Sequence, residues 1–335
     1  MSASTFGTVK HYWMQSDCLQ DNPLGDPSLR EIAVWTPAGF EDSDALPTIL
    51  VLPAFTSTGA AYLARGWRKP SLPERLDVLL KNGMQPVRVV MPDVVTAVGG
   101  SQYLNSPGIG QYATWVAEEL PAFLAEQFVA GERWGLTGSS SGGYGALTLA
   151  MSYPGRFFAI AAHSPDAAFE VCYPPDFPVA VEVLRDAGGL SAWWGDFRNR
   201  VSLKNSDHAV LGLVGMSCAY SPNVGRSPLP CTLPVDLDTG AIRSEVFETW
   251  LDHDPVRLLP RNRSAIQSLG GLYLDVGRRD EFRLQVGARL LAKSLDEMGV
   301  NFEFAQHDGG HFGLKARLDL SVPWLAACLA DQSGS

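Results

Sequence analysis

The stretch of residues 133–147 constrains the fold of this chain more than any other segment. It reads RWGLTGSSSGGYGAL, so a strand pattern runs into a Gly/Ser turn and then into a helical pattern. The motif G-x-S-x-G is present as Gly138, Ser140 and Gly142. A serine at a strained strand-to-helix turn exposes its hydroxyl, and the flanking glycines leave room for the turn. Of the three consecutive serines, the motif therefore selects Ser140 as a nucleophile in an α/β fold.

Short apolar runs alternate with longer helical patterns along the chain. This alternation predicts βαβ units and a mostly parallel central sheet flanked by helices. A helix is predicted over 282–298, where the apolar residues form one stripe and Gly299 stands at the C-terminal cap position. A second helix is predicted over 112–128, where Pro121 is expected to bend or divide it. The predicted strands cover residues 31–36, 48–52, 87–91, 133–137, 157–163, 271–276 and 301–306.

A serine nucleophile needs a base, and the base needs a carboxylate that orients it. Asp280 follows the predicted strand 271–276, and His311 follows the predicted strand 301–306. Both residues therefore fall in loops at the carboxyl edge of the sheet, the edge that carries Ser140. We predict Ser140, Asp280 and His311 as the catalytic triad.

Three other residues compete for the roles of acid and base. Asp275 still lies within a strand pattern, and Glu281 lies at the first turn of the following helix, where an acid also suits the helix dipole. His307 stands at a strand end, before the two glycines that could release His311 toward the serine. The remaining histidines are expected to make structural hydrogen bonds; they are His11, His163, His208 and His253.

The oxyanion hole is predicted from two backbone N–H groups. One is the N–H of Ser141, directly after the nucleophile, and the other comes from the loop after an early strand. That loop begins at Pro53, which has no N–H and is excluded. We predict Phe55 as the second donor, with Ala54 as the alternative.

Composition changes over residues 173–260, a stretch rich in proline. The stretch is too long for a loop in a compact domain, so we predict helices over 179–187 and 207–218. Residues 1–172 and 261–335 are then the core, and 173–260 is an insertion that caps the active site. A peripheral elaboration that never touches substrate is the alternative.

The aromatic residues of this insertion are candidates for binding an acyl or aryl group. Packing of a small subdomain explains them equally well. They are Trp193, Trp194, Phe197 and Trp250.

Charge and cysteine content limit the partners and the location of the chain. Lys+Arg total 26 against 36 Asp+Glu, a formal net charge of −10, which disfavours nucleic acid because phosphate contacts need clustered basic residues. No apolar run approaches the ~18 residues that cross a bilayer, and residues 1–15 lack the basic flank and apolar stretch of a secretory signal. Five cysteines without a CxxC pair predict a reduced, cytoplasmic protein with no zinc site.

Several segments together carry a family resemblance. They are 138–147 (GSSSGGYGAL), 277–282 (GRRDEF) and 309–311 (GGH), with looser matches at 91–93 and 99–103. Through them the chain resembles the "putative esterase" family of α/β-hydrolases, which includes S-formylglutathione hydrolases, enterochelin esterases, feruloyl esterases and antigen 85 mycolyltransferases. The resemblance covers most of the chain outside 173–262. It implies the α/β-hydrolase fold and the triad Ser140, Asp280 and His311, although Pro53-Ala54 stands where many relatives have His-Gly.

These observations predict a serine carboxylesterase with a helical cap. It is expected to hydrolyse a small-molecule ester or thioester through an acyl-enzyme, without a metal or an organic cofactor. Acyl transfer to an alcohol through the same intermediate is one alternative. A non-catalytic binding protein on a hydrolase scaffold is the other.

Overall fold

A mixed eight-stranded sheet forms the centre of the computed structural model, which describes residues 6–330. Residues 1–5 of the N-terminal stretch considered above lie outside the described residues. The strands are β1 (Thr8–Gln15), β2 (Leu29–Thr36), β3 (Leu46–Leu52), β4 (Arg88–Pro92), β5 (Asn105–Ser106), β6 (Gly110–Gln111), β7 (Ala130–Ser139), β8 (Ala159–His163), β9 (Gly271–Gly277) and β10 (Glu303–His307). The order across the large sheet is β1-β2-β4-β3-β7-β8-β9-β10, and β5 pairs with β6 in a separate hairpin. Strand β2 is antiparallel to both of its neighbours, and the other adjacent pairs are parallel.

All seven predicted strands are confirmed, with ends that differ by up to three residues. The predicted set lacks β1, which lies at the edge of the sheet and has seven of its eight residues exposed or half-buried. Its Trp13 is 60% exposed, so β1 shows no continuous apolar run that would predict a buried strand.

The sheet is buried on both faces because its central strands carry apolar residues at successive positions. In β3, Leu50 and Leu52 contribute to the core on one face, whereas Ile49 and Val51 contribute to the core on the other. Successive side chains of a strand point to opposite faces, so one apolar run serves two layers of helices.

The helices of the chain pack on these two faces and around the carboxyl edge. No helix within residues 6–330 is long and apolar enough to cross a membrane. The predicted helix 282–298 is confirmed as a slightly shorter helix that ends before Gly299, whose φ is +66°. The α-helices are α1 (Leu72–Lys81), α2 (Tyr112–Thr114), α3 (Leu120–Ala125), α4 (Ser141–Ser152), α5 (Phe169–Cys172), α6 (Phe177–Asp186), α7 (Leu190–Asn199), α8 (Asp207–Tyr220), α9 (Ser244–Leu251), α10 (Pro255–Arg261), α11 (Arg263–Gln267), α12 (Leu284–Glu297) and α13 (Leu318–Leu329).

Pro121 divides the predicted helix 112–128 in a specific way. A π-helical turn, Trp115–Glu119, separates α2 from α3, and Pro121 stands in the first turn of α3. Proline has no N–H to donate to the carbonyl of Ala117, four residues earlier. Arg156 Nε donates to that carbonyl instead, at 2.7 Å, so the missing helix bond is replaced by a side chain.

The stretch 173–260 contains the two predicted helices and three more. Helix α6 corresponds to the prediction over 179–187, and α8 extends the prediction over 207–218 by two residues. Buried residues of α6 and α8 belong to the same hydrophobic cluster as one face of the central sheet. The stretch is therefore packed on the sheet layer rather than attached by a linker.

Candidate active site

Ser140 lies at the turn between β7 and α4, in a backbone conformation that few residues adopt. Its φ is 56° and its ψ is −125°, outside the regions that L-residues ordinarily occupy. A Cβ added to Gly138 would lie 2.6 Å from the carbonyl carbon of Gly142, and one added to Gly142 would lie 2.2 Å from the carbonyl oxygen of Leu52. Both glycines of the motif are therefore required by close backbone contacts, which hold the strained turn in place.

Asp280 and His311 meet at the carboxyl edge of the sheet. His311 Nδ1 lies 2.9 Å from Asp280 Oδ2, and the aspartate is buried. The other carboxylate oxygen of Asp280 accepts a hydrogen bond from the N–H of Phe282 at 3.0 Å. The ring of Phe282 packs edge-on against His311, with the ring centroids 4.7 Å apart. This arrangement fixes the carboxylate and the plane of the imidazole.

Glu281, the alternative candidate for the triad acid, contacts the main chain of the loop that carries His311. Its Oε2 accepts a hydrogen bond from the N–H of His311 at 2.6 Å. A Cβ added to Gly310 would lie 2.6 Å from both carboxylate oxygens of Glu281, so a side chain there would displace this carboxylate. Glu281 therefore contacts the main chain of His311, whereas Asp280 contacts its ring.

Asp275, the second competing acid, belongs to a buried cluster of its own. Its carboxylate contacts His163 Nδ1 at 2.7 Å and the guanidinium of Arg317 at 2.6 Å. Burial favours the neutral carboxyl, but His163 and Arg317 outweigh burial and lower the pKa of Asp275. His307 is at the end of β10, and its Nδ1 accepts from the N–H of Gly309. Asp275 and His307 are not among the residues that line the cavity at Ser140.

The two predicted oxyanion donors, Phe55 in the loop after β3 and Ser141 at the start of α4, both line the cavity at Ser140. In the loop after β3, the N–H of Thr56 donates to the carbonyl of Gly99, and the N–H of Ser57 donates to that of Ala54. Within the described residues, the N–H groups of Phe55 and Ser141 donate to no acceptor. Two such groups beside a nucleophile match the requirement for stabilising a tetrahedral oxyanion.

Asp166 is a residue of this site that the sequence analysis missed. It follows β8 and is 6% exposed, and its Oδ1 accepts a hydrogen bond from Ser140 Oγ at 3.2 Å. Its Oδ2 accepts from Ser141 Oγ, Gln102 Nε2 and Tyr173 OH, each at 3.2 Å. The hydroxyl of Ser140 is thus directed at Asp166 and not at His311. An acidic residue three positions after the predicted strand 157–163 is the signal that could have drawn attention to it.

A cavity of about 350 Å³ opens at Ser140 and His311. Its walls are mostly apolar and combine the carboxyl edge of the sheet with helices from the stretch 173–260. One face of α8 contributes to the wall, and Gly212 on this face has no atom of another residue within 4 Å of the position of an added Cβ. The lining residues from 173–260 are Tyr173, Asp176, Phe177, His208, Ala209, Gly212, Leu213 and Met216.

The expectation that Trp193, Trp194 and Trp250 bind substrate is wrong in its placement of these side chains. None of the three lines the cavity, and each is at most 7% exposed. The indole N–H of Trp193 donates to Asp207, and that of Trp250 donates to Ser221 Oγ at 2.9 Å. A neighbouring aromatic, Phe197, stacks on both Trp193 and Trp194. These residues form the interior of the stretch 173–260, because its helices have apolar faces that must be buried.

No group of three or more metal-ligating side chains occurs among residues 6–330. Five cysteines are present as separate thiols, and burial raises the pKa of the Cys172 thiol, which lies at the cavity.

Comparisons with known proteins agree with this geometry. A family model described as "Putative esterase" matches residues 30–312. A segment of 66 residues is 38% identical to the S-formylglutathione hydrolase of Paracoccus denitrificans, and it spans 19% of this chain and 24% of that protein.

Two solved structures resemble the whole chain. A ferulic acid esterase matches with a TM-score of 0.62 and 17% identity, covering 97% of this chain and 99% of its own. An S-formylglutathione hydrolase from Agrobacterium tumefaciens matches with a TM-score of 0.59 and 20% identity, covering 98% of both chains. These likenesses establish the α/β-hydrolase fold.

Proposed function

We propose that this chain, which belongs to the esterase family whose model it matches, is a serine carboxylesterase that acts through an acyl-enzyme. Ser140 attacks the carbonyl of an ester or thioester, and His311 takes the proton of its hydroxyl. Asp280 keeps the proton of the imidazole on Nδ1, which leaves Nε2 as the base. The observation that carries the proposal is the contact of 2.9 Å between His311 Nδ1 and Asp280, at the cavity that contains the strained Ser140.

The attack requires a rotation of the Ser140 hydroxyl. Ser140 Oγ donates to Asp166, so its O–H must turn toward His311 before the proton moves. Catalytic hydrogen bonds are often loose without substrate and tighten in the Michaelis complex. Substrate bound against Asp166 would displace the serine hydroxyl from it and favour this rotation.

Charge that develops on the carbonyl oxygen needs donors that are already in place. The N–H groups of Phe55 and Ser141 supply them, and Ser141 begins α4, whose N-terminal dipole adds a favourable field. His311 then protonates the leaving group, and water, activated by the same histidine, releases the acyl group.

The substrate is a small-molecule ester, and the stretch 173–260 forms part of its binding site. Support for this role as a cap comes from α6 and α8, which contribute Phe177, His208, Gly212 and other residues to the cavity wall. We therefore retain the division into a core, 1–172 and 261–335, and a cap, 173–260. A cytoplasmic location stays a proposal that rests on the five thiols.

The test is covalent labelling with a fluorophosphonate, followed by intact-mass measurement. The wild type is expected to gain one adduct and to lose hydrolysis of p-nitrophenyl acetate. Ser140→Ala should show neither the adduct nor the activity, while Ser139→Ala, the matched control one residue away, should keep both. Labelling that persists in Ser140→Ala would contradict the assignment, and an inert wild type would favour a binding protein on a hydrolase scaffold.

Acyl transfer is distinguished by its products. Adding an acceptor alcohol to the assay should leave the free acid as the main product if water is the preferred acceptor. If the ester of the added alcohol is the main product instead, the chain is an acyltransferase that uses the same acyl-enzyme.

A further inference from the structure

Asp166 differs from the other buried aspartates in what surrounds it. Six aspartates are buried within residues 6–330, and five of them accept hydrogen bonds from a basic side chain or from backbone N–H groups. Asp166 accepts instead from four neutral side chains, and no Lys or Arg of the described chain forms an ion pair with it. The five are Asp77, Asp207, Asp254, Asp275 and Asp280. A carboxylate withdrawn from water without a cation is costly, so the position of Asp166 calls for a function.

The donors around Asp166 are all neutral, and one acceptor among its hydrogen-bond partners has no donor of its own. Burial raises the pKa of Asp166, and the charge of His311 with the hydrogen bonds from Gln102 and Ser140 opposes that rise. The side-chain oxygen of Gln102 is also buried and accepts no hydrogen bond from the described residues. A donor that carries positive charge would satisfy what this part of the site lacks.

The cavity that Asp166 lines also has a second carboxylate and an aromatic ring in its wall. Asp176 lines the same cavity and forms no ion pair with described residues, and the ring of Tyr173 lies on the same wall. Lys315, whose side chain also lines the cavity, has other partners than Asp166: its Nζ donates to the carbonyl of Ala61 at 3.2 Å and lies 5.0 Å from the centre of the Tyr62 ring. Carboxylates and aromatic faces both attract organic cations.

We propose that the cavity binds esters that carry a protonated amine close to the reacting carbonyl, with Asp166 as the residue that recognises the amine. The inference rests on the proposed esterase function. Asp166 Oδ1 lies 3.2 Å from Ser140 Oγ, the atom that bonds to the acyl carbon. An amine on the α or β carbon of the acyl group therefore reaches Asp166 at the roughly 2.7–2.9 Å of a charge-assisted hydrogen bond. A methyl group at the same position would leave the carboxylate buried without a charged partner.

Matched pairs of substrates test this assignment. The p-nitrophenyl esters of glycine and β-alanine are compared with those of propionate and butyrate, in which a methyl replaces the ammonium group. Within each pair, kcat/KM for the amino ester is divided by kcat/KM for the alkyl ester, after correction for spontaneous hydrolysis. This ratio is expected to be at least about tenfold lower in Asp166→Asn than in the wild type, which corresponds to about 1.4 kcal/mol. Comparing ratios between wild type and variant cancels the greater chemical reactivity of amino esters. Asp186→Asn, an exposed aspartate on α6, changes the net charge equally and should leave the ratio within about twofold.

Inhibition of the wild type gives a second readout that needs no variant to fold. n-Butylamine should inhibit the hydrolysis of p-nitrophenyl acetate at least about tenfold more strongly than n-butanol. Equal inhibition, or an Asp166→Asn variant that slows both members of each pair equally, would overturn the proposal and leave Asp166 as a residue that positions Ser140. A wild type that neither labels with fluorophosphonate nor hydrolyses any ester would instead refute the esterase function itself.

Discussion

Replacing Asp280 by asparagine tests which of the two acids near His311, Asp280 or Glu281, is the acid of the triad. The oxygen of Asp280 that accepts from the N–H of Phe282 must remain an oxygen, because that N–H needs an acceptor. The asparagine NH₂ is then turned toward His311 Nδ1, where the carboxylate oxygen lay at 2.9 Å. An NH₂ donor forces the imidazole proton onto Nε2, which is the wrong tautomer for a base. We expect Asp280→Asn to lower kcat by about 10⁴, the cost found for the same change in a serine protease triad.

Glu281→Gln is the matched control for this experiment. Glutamine keeps an oxygen for the N–H of His311, so the hydrogen bond persists and loses the assistance of the charge. That loss is worth about 1–1.5 kcal/mol, which limits the effect to about tenfold. Both variants are assayed with p-nitrophenyl acetate, and thermal unfolding verifies that they are folded. A crippled Glu281→Gln beside an active Asp280→Asn would refute the assignment of the acid.

Three further predictions concern the base, the cavity and the buried cluster. The value of kcat/KM should rise from acidic to neutral pH, because His311 must be neutral to accept a proton; a flat profile from pH 5 to 8 in folded enzyme would argue against a histidine base. Gly212→Leu should reduce kcat/KM for aromatic and long-chain p-nitrophenyl esters at least about tenfold relative to kcat/KM for the acetate, because the leucine side chain enters the open cavity. The control Gly195→Leu, on α7, should leave the ratio of these two kcat/KM values unchanged. Asp275→Asn should lower the free energy of unfolding by about 3–5 kcal/mol in urea titrations at pH 7, because it breaks a buried pair with His163 and Arg317. Because folding lowers the pKa of Asp275, its ionised carboxylate stabilises the folded state at pH values above the pKa it has in the unfolded chain. This stabilisation is lost as the pH falls through the pKa of Asp275 in the folded state, so the difference in unfolding free energy between wild type and Asp275→Asn should become smaller in acid. A difference that stays constant would contradict the ion-pair explanation.

The sequence predicts the central strands and the spacing of Ser140, Asp280 and His311 for one physical reason. Parallel strands buried on both faces are short apolar runs, and the residues directly after them meet at one edge of the sheet. Polar residues at those positions, preceded by a recognisable strand, are therefore visible without a structure. The edge strand β1 is not predicted from the sequence because it is largely solvent-exposed and contains no continuous apolar run.

Asp166 and the tryptophans show what a single sequence does not reveal. The strand over 157–163 is predictable, but its place next to β7, which brings Asp166 to Ser140, is a property of strand order. Trp193 and Trp250 are aromatic residues on amphipathic helices. The same sequence pattern occurs in helices that line a pocket and in helices that bury one face in the protein interior. The structure buries them, and it forms the wall from smaller residues such as Gly212 and Ala209.

The position of Asp166 has opposite effects on the two charges that the reaction creates. His311 becomes an imidazolium when it takes the serine proton, and a nearby carboxylate stabilises that cation. The oxyanion forms on the carbon that Ser140 Oγ attacks, and the negative charge of Asp166, 3.2 Å from Ser140 Oγ, opposes it at low dielectric. A neutral ester leaves this repulsion in place throughout the reaction. A substrate ammonium group paired with Asp166 removes it, because the pair presents no net charge to the oxyanion. Binding of the amine and stabilisation of the transition state then favour the same substrate, so the discrimination should be stronger in kcat/KM than in binding alone.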